Sequence, residues 1–543
     1  MQKYQRTTIF LLLFLCVPSI WAASPLDGDW IGGFDRPKSR VFVHVHFGTA
    51  NDGTTGTIDV IDMAYDPWAT DKPLEVNPIG LPVNSWVMGK PLDKLDMSAS
   101  RIHFELADKA RPLSFNGEVT NGVMTGVVED RGMRLPFRLD LMAKINRPRY
   151  AGIYRLGPRH FITIAPFNIS LFCFDTKSGQ IRVLLPHAGA DFVCGSGTKI
   201  YPVQAAIHFT TNQLGQVTAM QWKPNDAPAL VGTRIKPLPE EDVSFTNGNV
   251  TLSGTLVLPP TKSPHPAVVL VSGAGANVRS AQRIDADFFA LNGVAALIYD
   301  KRGCGASTGD WRKSGFDDLA GDALAWVKLL KTRPEISPHQ IGLWGESQGG
   351  WIVSLAASRS KDVAFIISVS GPGITPQAQG AYCAERWMKA AGYSENDVRE
   401  AVSLYLLTSR CTRTGSGWDE LKAARNADQN KPWYNVNPFV RGVISPGADK
   451  QWQRIWNYDP VPALCKVHCP VLAIFGKMDS LVPAQKSADI WKAALTKAGN
   501  HDVVIKIFPH ANRGINDTRT WMTLPGFFTL QRNWLLKRVT VNN

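Results

Sequence analysis

Between Ile341 and Trp351 the chain reads I-G-L-W-G-E-S-Q-G-G-W. A short apolar run meets Gly345-Glu346-Ser347-Gln348-Gly349 and passes into an apolar helical pattern, so the serine falls on a turn between a buried strand and a helix. Such a turn is sterically demanding. The residues flanking it must be small, because neighbouring strand and helix backbones pass close by. A serine held clear of the sheet in this way is placed to attack a carbonyl. A strand running straight into a helix also constrains the architecture, asking for a sheet with helices packed on its faces.

The neighbouring sequence repeats that grammar. Val250–Leu258 reads as a strand ending at Pro259-Pro260, and Ala267–Val271 is a continuous apolar run of the kind fully buried parallel strands show. Asp285–Leu291 is helical, Gly293–Tyr299 is another buried strand and Asp317–Leu330 an amphipathic helix. Val363–Val369 continues the alternation. From Thr375 to Pro462 it stops, in a helical stretch carrying Trp387, Tyr405, Trp418, Trp433, Tyr434, Trp452 and Trp456. The sheet resumes at Pro470–Phe475 and Val503–Phe508, and a helix from Gly526 to Lys537 closes the chain. Residues 240–543 are therefore expected to form an open, mostly parallel sheet flanked by helices, with a helical cap inserted at 375–462.

Upstream the period is two. Arg40–Phe47 and Gly56–Ile61 alternate apolar and polar around the turn Asn51-Asp52-Gly53, and similar short runs continue to Leu139. Residues 24–145 read as an all-β domain, a small barrel or sandwich. A second β segment spans 146–239 and ends in a Pro-rich stretch, 224–241, that reads as a linker. His44 and His46 share one strand face, a spacing that can hold a metal, but no third ligand is evident nearby.

Lys3 and Arg6 precede an apolar run, Ile9–Trp21, and then Ala22-Ala23-Ser24. Residues 1–23 have the form of a cleaved signal peptide and imply a periplasmic or secreted protein without stable membrane insertion. Apart from Cys16 in that leader, the cysteines are Cys173, Cys194, Cys304, Cys383, Cys411, Cys465 and Cys469. Proximity in sequence suggests the disulfides Cys173–Cys194, Cys383–Cys411 and Cys465–Cys469, leaving Cys304 over. The formal net charge is +13, yet no basic run of five or more occurs, which argues against a nucleic-acid partner.

A serine hydroxyl becomes a useful nucleophile only when a base takes its proton and an acid orients that base. Asp479, in Phe475-Gly476-Lys477-Met478-Asp479-Ser480, follows a strand at its C-terminal end, where open sheets place working residues. Of His265, His339, His468, His501 and His510, only His510 follows the last strand. Backbone N–H groups of Gln348 and of Ala274, within Ser272-Gly273-Ala274-Gly275, are the candidate oxyanion donors.

Taken together, the elbow, Val271–Gly275 and Tyr299-Asp300-Lys301-Arg302-Gly303-Cys304-Gly305 resemble the α/β-hydrolase superfamily, and more narrowly exported bacterial carboxylesterases bearing an N-terminal β domain, often described as related to serine aminopeptidases. The resemblance covers about 243–536. It implies an α/β-hydrolase fold preceded by an all-β region, a Ser347–Asp479–His510 triad, no cofactor or metal, and a small-molecule ester as substrate. It also implies that Asp300 and Arg302 are structural, pairing beneath the site. One departure stands out: relatives often read F-P-x-A-x-H-G in the last loop, and here Arg513 takes the histidine position. Arginine cannot act as a base at neutral pH. Two alternatives remain open: a peptidase whose cap carboxylates Glu385, Glu395 or Asp419 bind a substrate amine, and a non-catalytic binding protein on a hydrolase fold.

Overall fold

In the computed structural model, the described residues are 26–36, 39–50, 53–64, 87–108, 111–130, 132–142, 145–167, 170–188, 190–195, 203–390, 392–434, 454–517 and 523–542. The expected signal peptide lies outside them. The chain divides into two compact units, one built from most of the N-terminal strands through Leu141, the other containing everything from Met142 onward.

The N-terminal strands form one nine-stranded sheet. Its second half is a meander of antiparallel strands, Lys94–Ser98 through Met133–Leu141, whose alternating side chains bury Phe104, Phe115 and Leu139. Phe104 stacks on Phe115 at 4.5 Å between ring centroids. His44 and His46 both meet Asp29 (3.0 and 2.9 Å), and His44 also meets Asp59 at 2.7 Å. The two histidines thus face carboxylates. Among the described residues no group of His, Cys, Asp or Glu is arranged to hold a metal ion.

Residues 24–145, read as a small barrel or sandwich, carry the open nine-stranded sheet, and the closed barrel lies in the second β segment. Eight strands from Gly152–Gly157 to Leu230–Ile235 close on themselves. The closing strand sits inside the stretch read as a linker. Leu230–Ile235 pairs with both Val217–Pro224 and Gly152–Gly157, its short alternation hidden among prolines. The barrel interior is packed by Tyr154, Phe192, Phe209, Met220 and Trp222.

The second half is an eight-stranded sheet in the order Glu240–Asn247, Val250–Val257, Ala295–Tyr299, His265–Val271, Ile336–Glu346, Ile366–Val369, Val471–Gly476, Val503–Phe508. The first two strands form an antiparallel hairpin, and from Ala295–Tyr299 onward all neighbours are parallel. Helices cover both faces, and two apolar clusters fill the layers, one around Trp326 and Trp491, the other around Phe288, Phe365 and Trp534. Phe174 of the barrel meets Phe528 of the last helix at 4.9 Å, so barrel and sheet share the second cluster.

The cap is helical: Pro376–Ala390, Glu395–Thr414 and Trp418–Asp428. Ser394 and Asp397 form a capping box at the second helix, which ends at Gly415 in the left-handed conformation. Trp433, Trp456 and Tyr405 pack the cap's own core. Trp452 lies outside the described residues.

The disulfide expectation is corrected: Cys173, Cys194, Cys304, Cys383, Cys411, Cys465 and Cys469 are all free thiols. Cys173 and Cys194 do meet inside the barrel, as a hydrogen-bonded thiol pair that pushes the Cys173 thiol up and the Cys194 thiol down. Cys383 and Cys411 point instead to separate carbonyls, Leu481 O at 3.5 Å and Gly417 O at 3.2 Å. No helix among the described residues is long and apolar enough to cross a membrane.

Candidate active site

Register in the parallel sheet brings four loops to one edge. Val271 pairs with Gly345, Glu346 with Val369, Val369 with Ile474, and Gly476 with Phe508, so the loops leaving these strands cluster at their C-terminal ends.

Ser347 stands between strand Ile336–Glu346 and helix Gln348–Ala357 with φ 53° and ψ −116°. A non-glycine residue held there carries roughly 1–3 kcal/mol of backbone strain. Its N–H donates to Val369 O at 2.8 Å, and its carbonyl accepts from Gly350 N at 2.8 Å. Gly345 and Gly349 are needed by close approach. A Cβ on Gly345 would lie 2.4 Å from Gly349 O, and one on Gly349 would lie 2.4 Å from Val271 O. The strain is thus held by backbone packing on both sides of the serine.

The loop after Val271 lies against the elbow, with Gly273 close to Glu346 O and the Ser347 Cβ. Asn277 Nδ2 donates to the carbonyls of Gly273, Ala274 and Gly275 at 3.2, 3.0 and 3.1 Å. Lys301 Nζ also reaches Gly273 O and Gly275 O. Gln348 N begins the elbow helix, where the first N–H groups lack helical acceptors. Gln348 N thus adjoins Ser347, and Ala274 follows Gly273, the loop residue that lies close to the Ser347 Cβ.

Asp479 is 2% exposed. Its Oδ1 accepts from Leu481 N (2.8 Å) and Val482 N (2.9 Å), and the Ser370 hydroxyl also favours its carboxylate form. Burial pushes its carboxyl up to about 6, against the pull of those two N–H groups and of the Arg513 guanidinium. The cap reaches this loop, since Tyr382 Oη donates to Asp479 O at 3.0 Å.

The last loop separates the two basic candidates. His510 is exposed at a turn after Val503–Phe508 and makes no hydrogen bond to Ser347 or Asp479. Arg513 is half-buried. Its carbonyl accepts from Ser370 Oγ at 2.8 Å, and its guanidinium approaches Glu346 Oε1 at 3.6 Å and stabilises the Asp479 carboxylate. Asn512 Oδ1 accepts from Gly514 N and Asn516 N, both at 3.0 Å, and ties the loop into a tight turn around Arg513. Ser347, the Gly273–Gly275 loop, Asp479 and Arg513 thus all lie on loops leaving the C-terminal ends of the parallel strands, with Arg513 beside Glu346 and Asp479.

Asp300 and Arg302 are both structural, but not with each other. Asp300 accepts from Arg279 N and Ala306 N (2.8 and 3.0 Å), and Arg302 grips Asp322 with two 2.7 Å bonds. Glu385 and Glu395 share Lys389 at 2.9 and 3.4 Å on the cap surface. Two charged groups near the elbow escaped the sequence reading. Asp285, in the first turn of helix Arg283–Leu291, is pushed up to about 7 by burial and then by the charge of Glu346. Lys301 is buried under the oxyanion loop. Its place in D-x-R-G-x-G, just past a buried strand, was the available signal; nothing local marked Asp285.

A family model described as "Serine aminopeptidase, S33" matches residues 262–512. The polyketide transferase grgF of Penicillium sp is 34% identical over 139 residues, 24% of this chain and 45% of its own length. The acyltransferase drtE of Aspergillus calidoustus is 32% identical over 273 residues, 47% of this chain and 82% of its own. The esterase EstD of Thermotoga maritima is 25% identical over 279 residues, 50% and 60% respectively. The chain thus spans less than half the length of grgF, though most of drtE. The crystal structure of GrgF from Penicillium sp. sh18 is 18% identical, covers 55% of this chain and 99% of its own, and superimposes with a TM-score of 0.37.

Proposed function

This chain belongs to the serine aminopeptidase (S33) family of α/β hydrolases, and on that premise we propose that it is an exported serine hydrolase that cleaves acyl esters through an acyl-enzyme on Ser347. The observation that carries the reading is the elbow. Ser347 is held at φ 53° by two glycines with no room for a Cβ, beside a loop whose carbonyls are all tied away from it.

Ser347 Oγ attacks the ester carbonyl and loses its proton to a base. The N–H groups of Ala274 and Gln348 receive the developing oxyanion. The alkoxide leaves with the proton, and water, deprotonated by the same base, releases the acid and frees Ser347. The base in this reading is His510, which follows the last strand and swings in beside Asp479 when the turn holding Arg513 opens. Relatives named as an esterase, an acyltransferase and a polyketide transferase support acyl chemistry over peptide cleavage. So does the pairing of Glu385 and Glu395 with Lys389, which draws them away from a substrate amine. Export rests on the leader-like residues 1–23, and N-terminal sequencing of secreted protein should begin after Ala22 or Ala23.

One observation favours a second reading, a hydrolase fold that binds an acyl ligand without turning it over: Arg513, at the sequence position where relatives often carry histidine, is held beside Glu346 in a tight turn. Labelling with a fluorophosphonate separates the two. Wild-type protein should label and Ser347→Ala should not; folded wild type that stays unlabelled would support the binding reading instead.

A further inference from the structure

Lys301 is 3% exposed, and its charge is not matched by any carboxylate among the described residues. Its ammonium donates to three neutral oxygens: Gly273 O, Gly275 O at 3.0 Å and Gln348 Oε1 at 3.5 Å. Asn277 binds the carbonyls of Gly273, Ala274 and Gly275 as well, and Lys301 N in turn donates to Asn277 O at 3.1 Å. Every carbonyl of this loop therefore points to Lys301 and Asn277. In a trans peptide the C=O and the following N–H point in opposite directions. The N–H groups of Ala274 and Gly275 are thus turned away from Lys301, and no other acceptor among the described residues takes them. A buried cation without a counter-charge, placed behind free N–H donors, is an arrangement that lacks its anion.

We propose that Lys301 is a positioning residue for acyl transfer: it fixes the Gly273–Gly275 loop with its N–H groups outward, and its buried charge favours the oxyanion that forms between that loop and Gln348. This rests on the serine-hydrolase reading. A positive charge held in a low-dielectric setting acts on a transition state much more strongly than it would in water. Burial also lowers the Lys301 amine to about 8, with the nearby Cys304 opposing that shift, so the charge is lost within an accessible pH range. Asp300, the adjacent carboxylate, is taken up by Arg279 and Ala306.

The test is kcat and KM against pH for a short-chain p-nitrophenyl ester, with wild type, Lys301→Met and Lys301→Arg. Wild-type kcat should fall as pH rises through about 8, when the ammonium loses its proton. Lys301→Met should lower kcat roughly tenfold to hundredfold, less than removing a direct oxyanion donor. It should leave KM nearly unchanged and abolish the alkaline limb. Lys301→Arg should keep the charge and carry the activity to higher pH, and it provides the test should the Met variant not fold. An active wild type whose alkaline limb survives in either variant, or a loss confined to KM, overturns the inference alone. A wild type that neither turns over ester nor labels at Ser347 overturns the hydrolase reading and this inference together.

Discussion

Asp479 is a buried carboxyl whose ionisation the fold opposes, and Asp479→Asn should show by how much. Burial raises the carboxyl from 3.8 to about 6. At ~1.4 kcal/mol per unit, ionising it in the folded state costs about 3 kcal/mol. The sign follows from proton binding. Between these two values the folded chain holds a proton that the unfolded chain has lost, so stability falls as pH rises from about 4 to about 6. Integrating the two titrations puts about 2 kcal/mol of that loss between pH 4.5 and 7.5. Asparagine keeps an acceptor for Leu481 N and Val482 N and removes the charge. Its amide replaces an oxygen that the Ser370 hydroxyl favours, at a cost of roughly 1–3 kcal/mol that does not depend on pH. Asp285, also raised, titrates in both proteins and cancels in the comparison. Urea unfolding at pH 4.5 and 7.5 should show the variant gaining about 2 kcal/mol on the wild type at the higher pH. A stability difference that is the same at both pH values would show that Asp479 is not held protonated by burial.

Three further outcomes follow from the geometry. Gly349→Ala places a Cβ 2.4 Å from Val271 O and should cost roughly 1–3 kcal/mol, with a matching fall in Tm and loss of ester turnover. Arg302→Met strands Asp322, which is 1% exposed, and should destabilise by about 3–5 kcal/mol in chemical denaturation while leaving KM unchanged in the surviving folded fraction. Alkylation in denaturant without reductant should modify all seven cysteines after the leader; a mass showing any protected pair would contradict the free-thiol state.

The second half was legible in the sequence because its strands are buried on both faces and read as continuous apolar runs. The glycines of the elbow announce close backbone approach, and the structure shows the approach itself. The N-terminal half was less legible. Alternating strands reveal that sheets form but not whether a sheet closes, and the closing barrel strand, Leu230–Ile235, is short and sits among prolines. The cysteines misled because neighbours in sequence need not point at each other: Cys383 and Cys411 face different carbonyls. Lys301 and Asp285 matter through tertiary neighbours, the loop at Gly273 and the carboxylate of Glu346, which no local pattern encodes. Arg513 was visible as a departure in the sequence, and its contact with Glu346 and its influence on Asp479 required the fold.

The proposed mechanism has Ser347 turning over esters with His510 as its base, despite Arg513. The most direct measurement is kcat/KM on a short-chain ester for wild type, His510→Ala and Arg513→His, each checked for folding. Wild type should be active, and His510→Ala should lose about 10³-fold or more, the scale expected when a triad member is removed. Full activity in His510→Ala, or activity that emerges only in Arg513→His, would contradict that mechanism.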